Sequence, residues 1–266
     1  MSTARIRIGL HGATGRMGLR LIQLVAEDPR VELAAAIDRE KLGEDAGVVA
    51  GVVALGVPIR GLDAAADSRL DVLIDFSHHS ATAGVAEACR RAKVALVVGT
   101  TGLGDDANAA LRAAAADVAV LASPNTSRAV NLLFKLVGQA AAGMGPEADV
   151  EIVERHHRLK KDAPSGTALR LAEMVTAATA AGPLVHGRSG QVGERPRGEI
   201  GMHAVRAGDC PGEHTVVLAL GGDTLELTHR ALNRDGFARG AIDAAVFLAG
   251  KPPGSYAMAD VLESSP

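Results

Sequence analysis

Tryptophan is absent from this 266-residue chain, and aromatic residues are scarce: four phenylalanines and one tyrosine. Nucleic-acid recognition by aromatic stacking platforms therefore lacks its material, and the core must be built from Ala, Val, Leu and Ile. The only cysteines, Cys89 and Cys210, are neither paired at zinc-ligand spacing nor numerous enough for a disulfide framework. Neither sign of charge dominates. Lys and Arg total 28 and Asp and Glu 31, for a net charge of −3, so no global basic field exists to collect DNA or RNA. No apolar run approaches the roughly 18 residues needed to cross a bilayer, and Met1 to Arg7 enter a strand-like segment without an apolar signal region. The expectation is a soluble cytoplasmic protein with no nucleic-acid or membrane partner. What the chain does hold is an ordinary globular balance, 47% hydrophobic and 22% charged, which argues against disorder. Its length suggests one large domain or two of about 150 residues or fewer.

The first half alternates short apolar strands with helix-period segments. Ile6, Ile8 and Leu10 alternate as in a strand, and Met17, Leu21, Leu24 and Val25 share one helical face. Further strands are expected at Val31 to Ile37, Val72 to Ile74, Val94 to Val98 and Val118 to Ala122, with helices at Ser80 to Ala92 and Asp105 to Ala116. Such alternation implies right-handed crossovers and a mostly parallel sheet. Beyond about Asn125 the texture changes. A long helix (Asn131 to Gly143) and a strand (Val150 to Arg155) precede an alanine-rich helix starting near Ser165. Gly182 to Gly198 reads as an exposed loop. Strands at Ile200 to Arg206, Val216 to Leu220 and Leu225 to His229, with no helices between them, suggest antiparallel hairpins. A last helix, Arg239 to Leu248, is placed to return to the first domain.

The segment Gly12-Ala-Thr-Gly15-Arg-Met-Gly18 lies between the first strand and its helix, the layout of a dinucleotide site. Glycine permits the tight turn, close approach to a pyrophosphate, and close packing of helix on strand. The helix N-terminus then offers N–H groups to phosphate. Asp38-Arg39 closes the second strand, where a ribose-reading residue belongs. Asp38 suits the ribose hydroxyl of NAD(H), whereas Arg16 and Arg39 suit the 2′-phosphate of NADP(H). Both chemistries together predict a relaxed coenzyme choice. Gly99-Thr-Thr-Gly102 also follows a strand, and it either lines the nicotinamide side or is simply a turn. The blander reading of the three glycines is a tight turn alone.

The richest chemistry is Glu154-Arg-His-His-Arg-Leu-Lys-Lys-Asp-Ala-Pro-Ser-Gly-Thr-Ala168, a cationic cluster inside a mildly acidic chain. Ser165 is a natural N-cap, with Gly166 and Thr167 in the first turn, so amides and hydroxyls there can hold a carboxylate. A histidine transfers protons near neutrality, and an ammonium can protonate or stabilise a nitrogen gaining electron density. The loop therefore suits reduction of a small dianionic substrate. The alternative is a solvated basic loop or a phosphate patch. A metal site is not expected, because adjacent His156 and His157 seldom converge on one ion. His78 and His79 border the coenzyme cleft or are merely surface residues. His214 and His229 have no assignable role.

These segments resemble the 4-hydroxy-tetrahydrodipicolinate reductase (dihydrodipicolinate reductase) family. The matches are Gly12 to Gly18, Gly99 to Gly102, the His-His-x-x-Lys160-x-Asp-Ala-Pro-Ser-Gly-Thr motif, Ile200-Gly201, Val205-Arg-Ala-Gly-Asp209 and Gly212-Glu-His-Thr215. The resemblance implies NADPH- or NADH-dependent reduction of 4-hydroxy-tetrahydrodipicolinate, a small dicarboxylate, in lysine and diaminopimelate biosynthesis. It implies His156 as acid/base, Lys160 as proton donor, and His157, Ser165, Gly166 and Thr167 as substrate-binding residues. It places the coenzyme on Gly12, Ala13, Thr14, Gly15, Arg16, Met17, Asp38, Arg39, Gly99, Thr100, Thr101, Ser123, Pro124, Asn125 and Thr126. The implied fold is α/β. A Rossmann-like parallel-sheet domain (1–127 plus 235–266) accompanies an α+β substrate and oligomerisation domain (128–234), assembled as a homotetramer.

The chain departs from the family at Ser123-Pro-Asn-Thr-Ser-Arg-Ala129, where Asn-Phe-Ser, an aliphatic residue and Gly are usual. Thr126 removes an aromatic wall expected near the nicotinamide, and Arg128 adds a charge. A related reductase with altered substrate, or an NADP-binding sensor without catalysis, are the alternatives, although a sensor gives no reason for the cationic loop. A short-chain dehydrogenase is excluded: the only tyrosine is Tyr256, and position 260 is Asp. Cys89, within a helix, and Cys210, in a turn, do not suit the nucleophile of a semialdehyde dehydrogenase.

Overall fold

A computed structural model describes residues 4–62 and 69–264. The chain forms two compact units, Met1–Arg128 with Asp235–Pro266, and Ala129–Arg234.

In the first unit, β1 (Ile6–His11) leads into α1 (Arg16–Glu27), which buries Leu21, Ile22, Leu24 and Val25. Then follow β2 (Val31–Ile37), α2 (Ala46–Val49), β3 (Ile59–Arg60), β4 (Val72–Asp75), a 3-10 turn (His79–Ala81), α3 (Thr82–Ala92), β5 (Ala95–Val98), α4 (Asp105–Ala115) and β6 (Ala119–Ala122). Every residue of β4 and β5 is buried, as befits parallel strands covered on both faces. The sequence pattern missed α2 and β3, because four and two residues are too short to display a period.

The second unit contains α5 (Arg128–Met144), β7 (Asp149–His156), α6 (Gly166–Thr179), β8 (Leu184–His186), β9 (Ile200–Arg206), β10 (Gly212–Leu220) and β11 (Asp223–Ala231). Its sheet order is β11-β10-β7-β9-β8. One face carries Val150, Ile152, Ile200, Met202, Val216 and Leu218 against Leu133 and Val137 of α5 and Leu171 and Val175 of α6. The sheet departs from the sequence pattern in two places. Gly182 to Gly198, expected to be an exposed loop, contains β8, too short to stand out, paired parallel with β9. The hairpin expectation holds only for β10 and β11. β9 runs parallel to β7, and β7 separates it from β10. The connection between β9 and β10 therefore crosses the end of β7, where the Ala207 amide donates to the His156 carbonyl and the His157 amide to the Cys210 carbonyl.

On the opposite face of this sheet, Glu151 accepts hydrogen bonds from Arg188 (2.9 Å), Arg195 (3.1 Å) and His203 (2.7 Å). Burial works to raise its pKa, but Arg188, His203 and Arg195 outweigh burial and hold it at about 2, down from 4.5. A carboxylate depressed in the fold adds stability above its unfolded pKa and loses it as pH falls through the folded value. Wild type is thus expected to lose stability between about pH 4.5 and pH 2 in part through this residue. Glu151→Gln should flatten that stretch of the denaturant-midpoint-against-pH curve, and an unchanged slope would refute the assignment.

The chain then returns to the first unit as α7 (Asp235–Leu248), β12 (Gly254–Tyr256) and α8 (Met258–Glu263), so Arg239 to Leu248 is not the last helix as expected: β12 and α8, three and six residues long, are too short to show a period. β12 adds to the edge beside β6, completing the parallel order β12-β6-β5-β4-β1-β2-β3. α7 is rich in alanine because it lies close. It buries Ala238, Ala241, Ala244 and Ala245, and a Cβ on Gly240 would stand 1.8 Å from the Thr126 carbonyl oxygen.

Candidate active site

In the first unit, the segments singled out in the sequence all follow strands at the carboxyl edge of the sheet: Gly12 to Met17 after β1, Asp38 and Arg39 after β2, Gly99 to Thr101 after β5, and Ser123 to Thr126 after β6. The strand order reverses between β1 and β4, and nucleotides bind at such switch points in open α/β sheets. Gly12 adopts φ +83°, and a Cβ there would lie 2.4 Å from the Phe76 carbonyl oxygen. A Cβ at Gly18 would lie 2.1 Å from the Gly12 oxygen. Only glycine allows this turn and this closeness of helix to loop. α1 has Gly15 at its N-cap, so no side chain caps it, and no acidic residue lies in its first turn, which leaves its N–H groups and positive dipole end for an anion. The arrangement fits a dinucleotide pyrophosphate.

Asp38 fastens this loop. Its Oδ2 accepts from the Thr14 amide (2.9 Å) and hydroxyl (2.8 Å), and Oδ1 from the Arg39 amide (2.7 Å). Burial would raise its pKa, but these bonds prevail and keep it below the usual carboxylate range. Arg16 and Arg39 are exposed, and Thr101 lies at the surface. Ala13 is fully buried, and the Gly12 and Ala13 amides donate to the Ile37 carbonyl. Gly99 is glycine because a Cβ would strike the Phe76 ring at 2.2 Å.

A carboxylate overlooked in the sequence supports this edge. Asp75, wholly buried at the end of β4, accepts from His11 Nδ1 (2.8 Å), the Ser77 amide (3.2 Å) and the hydroxyls of Thr82 (3.1 Å) and Thr100 (3.2 Å). One side chain thus ties β1, the turn after β4, the start of α3 and the Gly99–Gly102 turn. His78 bonds Ser80 and is exposed, as is His79. The Ser123 hydroxyl donates to the Asn125 carbonyl, and Pro124 between them is exposed. Thr126 is 1% exposed and its hydroxyl donates to the Phe237 carbonyl at 2.6 Å, so this side chain is turned into α7. Arg128 bonds Asp243.

The second cluster belongs wholly to the other unit. In β7 the alternation that buries Val150 and Ile152 also turns Glu154 and His156 to the helix-covered face. Glu154 has no exposed surface. It accepts from His156 Nδ1 (2.6 Å), from Arg206 through both terminal nitrogens (2.7 Å each), and from the Ser165 amide (3.0 Å). Burial alone would raise its pKa, yet Arg206 and His156 hold it below the usual carboxylate range. Burial lowers the pKa of His156, with Lys160 and Arg206 acting in the same sense against Glu154. The imidazole is therefore neutral at neutral pH, its Nδ1–H directed to Glu154. No described residue bonds to Nε2, the atom left for chemistry.

Ser165 caps α6 by accepting from the Ala168 amide (3.2 Å), with Gly166 and Thr167 opening the helix. Lys160 rests on both oxygens of Asp162 at 2.9 Å, and Arg206 also donates to the Asp162 carbonyl at 2.6 Å. His157 keeps a buried Nδ1 without a partner among the described residues. The sequence reading left Glu154, Arg206 and His214 without roles. The Glu154–His156 spacing on a strand was a usable signal, whereas Arg206 and His214 reach the cluster only through pairing register. Among the described residues, no group of three or more His, Cys, Asp or Glu is arranged to hold a metal ion, and no helix is long and apolar enough to cross a membrane. Both cysteines are free thiols; Cys89 is buried, and burial pushes its pKa up to about 12.

Comparison with known proteins matches residues 6–126 to the dihydrodipicolinate reductase N-terminal family and residues 129–262 to the dihydrodipicolinate reductase C-terminal family. Among curated proteins, the chain is 50% identical over 263 residues to a 4-hydroxy-tetrahydrodipicolinate reductase of Alkalilimnicola ehrlichii, covering 96% of this chain and 98% of that protein. It is 49% identical over 261 residues to one from an Anaeromyxobacter species, covering 97% of each. Among solved structures, a dipicolinate-bound dihydrodipicolinate reductase from a Paenisporosarcina species superposes with a TM-score of 0.75 at 24% identity, over 96% of this chain and 98% of that one. An amine dehydrogenase from Mycobacterium smegmatis superposes at 0.63 with 13% identity, over 96% and 95%.

Proposed function

The chain belongs to the dihydrodipicolinate reductase family, and from that membership we propose that it reduces 4-hydroxy-tetrahydrodipicolinate to tetrahydrodipicolinate with NAD(P)H, a step of lysine and diaminopimelate biosynthesis. The observation that carries the chemistry is the Glu154–His156 pair: a neutral imidazole oriented by a fully buried carboxylate, beside the capped start of α6.

Bound NAD(P)H supplies the hydride. Gly12 to Met17 and the uncapped start of α1 would hold it, with Asp38, Arg39, Gly99 to Thr101 and Ser123 to Thr126 along the same sheet edge. Ser165, Gly166, Thr167 and His157 hold the carboxylates of the substrate at the N-terminus of α6. His156 takes or gives a proton at Nε2, and the Glu154 carboxylate stabilises the imidazolium whenever it forms. Lys160, paired with Asp162 in the structure, is the ammonium that would meet the ring nitrogen gaining electron density and donate a proton there. Net uptake is one hydride and one proton, with the 4-hydroxyl departing as water. The units Met1–Arg128 with Asp235–Pro266 and Ala129–Arg234 are accordingly assigned to coenzyme and substrate. A cytoplasmic homotetramer belongs to the same proposal. The outer face of the second sheet, where Val153 and Val205 are exposed, supports a self-contact there.

The test couples purified protein to enzymatically generated substrate and follows NADH and NADPH absorbance separately. Dicarboxylate-dependent oxidation is expected with both. Asp38 and the exposed Arg16 and Arg39 favour opposite adenosine forms, so the preference should stay below about 1000-fold, or about 4 kcal/mol. A larger preference would contradict that pairing of roles. Coenzyme binding without oxidation would mark a sensor and sink the enzymatic reading.

A further inference from the structure

We propose that His214 is a positioning residue of the dicarboxylate site, one that sets the hydroxyl of Ser165 as a hydrogen-bond donor to the ligand's carboxylate. The inference rests on the reading of this site as a dicarboxylate site and adds a residue to it.

His214 lies on β10 directly opposite Glu154 of β7 and His229 of β11. It is 3% exposed. Its Nε2 is 3.0 Å from Ser165 Oγ, while its Nδ1 is buried without a partner among the described residues. The proton can sit on either nitrogen, and the surroundings decide which. On Nδ1 it would be a buried N–H with no acceptor, rarer and costlier than a lone pair lacking a donor. It therefore sits on Nε2 and is donated to Ser165 Oγ.

A serine hydroxyl has two lone pairs and one proton. The Ala168 amide takes one lone pair and His214 the other, so the proton is what remains to offer. No described residue accepts it, whereas a carboxylate at the start of α6 would. In the opposite tautomer Ser165 would donate to His214 and turn a lone pair towards the anion. One imidazole proton thus decides whether this hydroxyl attracts or repels the substrate.

His214 can hold the tautomer because it stays uncharged: burial pushes its pKa down to about 3, with the neighbouring His156 acting in the same direction. The His156 and His214 rings meet edge to face, with centroids 5.2 Å apart at 74°. The imidazole beside His156 thus adds no positive charge when His156 is protonated. The charged groups of the neighbourhood are Glu154, Arg206 and Lys160, and His229, on β11, is kept neutral by burial.

Calorimetric binding of dipicolinate to the full-length protein in the presence of NADPH tests this. Ser165→Ala and His214→Phe should each weaken dipicolinate by about 10- to 100-fold, the worth of a hydrogen bond to a charged group. The double variant should bind no more weakly than Ser165→Ala alone, within about twofold. His214→Gln, which keeps an N–H donor, should recover most of the loss, and NADPH affinity should not change in any variant. Additive losses, or wild-type affinity in His214→Phe, would overturn the proposal. If His214→Phe does not fold, histidine 15N shifts of the wild type decide: a neutral His214 protonated on Nε2 is expected, and protonation on Nδ1 overturns it. The two readings fail separately. Dipicolinate binding with intact Ser165–His214 coupling but no dicarboxylate-dependent NADPH oxidation removes the reductase assignment alone. Oxidation without coupling removes only the role of His214. No dipicolinate binding to wild type overturns both.

Discussion

Replacing His156 by alanine is expected to lower turnover by about 10²- to 10⁴-fold, the usual contribution of a positioned acid–base group, with NADPH affinity nearly unchanged. The selectivity follows from the architecture. His156 and everything that orients it lie on the sheet of the second unit, whereas the glycine loop, Asp38 and Asp75 belong to the first. His156→Ala removes the group that handles the proton, while Glu154 keeps its ion pair with Arg206 and the bond from the Ser165 amide, so the cluster should persist. Lys160→Ala should give a loss of similar order, since it deletes the ammonium that meets charge developing at nitrogen. It should barely affect stability, because among the described residues Lys160 pairs only with the largely exposed Asp162. Stopped-flow reduction and coenzyme titration of both variants supply the check. Turnover equal to wild type in either would remove that residue from the mechanism.

The largest expected loss of stability belongs to Glu154→Ala. Removing one member of a buried ion pair typically costs about 3–5 kcal/mol, because the partner stays behind uncompensated. Here the partner is Arg206, whose Nε is already buried without a hydrogen-bond partner among the described residues. The Ser165 amide and His156 Nδ1 would lose their acceptor as well. The substitution should also shift the pH profile. Glu154 opposes the fall in the His156 pKa caused by burial, so without it the imidazole should protonate at lower pH still. Denaturant unfolding tests the first expectation and the pH dependence of turnover in Glu154→Gln, which keeps the shape, tests the second. A Glu154→Ala variant within about 1 kcal/mol of wild type would show that Arg206 finds water, and that the buried pair is not the keystone inferred here.

Which parts of the molecule were legible in the sequence follows from the range of the forces involved. The parallel first sheet was legible because its strands are near-continuous apolar runs separated by amphipathic helices, and both signals are local. The short α2, β3 and β8 carry too few residues for any period. The parallel pairing of β9 with β7 was hidden because strand neighbours are chosen by tertiary packing. A turn from Ala207 to Pro211 looks like a hairpin until it is seen to step over β7. The candidate site divides in the same way. The loops at the sheet edge and the His156–Thr167 segment were found by their glycines, charges and cap. The residues that hold them in place, Asp75 and Arg206 above all, were not. Asp75 reads as the polar end of a strand, and Arg206 meets Glu154 only because β9 lies beside β7 in a particular register.

The return of α7 to the first unit has a consequence for biosynthesis on the ribosome. α3 and α4 cover one face of the first sheet and α1 part of the other, but the share of that second face that belongs to α7 stays open until residues 235–248 emerge, and Ala129–Arg234 must be translated in between. At about 5–20 residues per second that interval lasts roughly 5–20 s. During it the nascent first unit lacks both its alanine-rich cover and its β12 edge, a window in which holdase chaperones have apolar surface to grip, while the second unit, encoded without interruption, can already be complete.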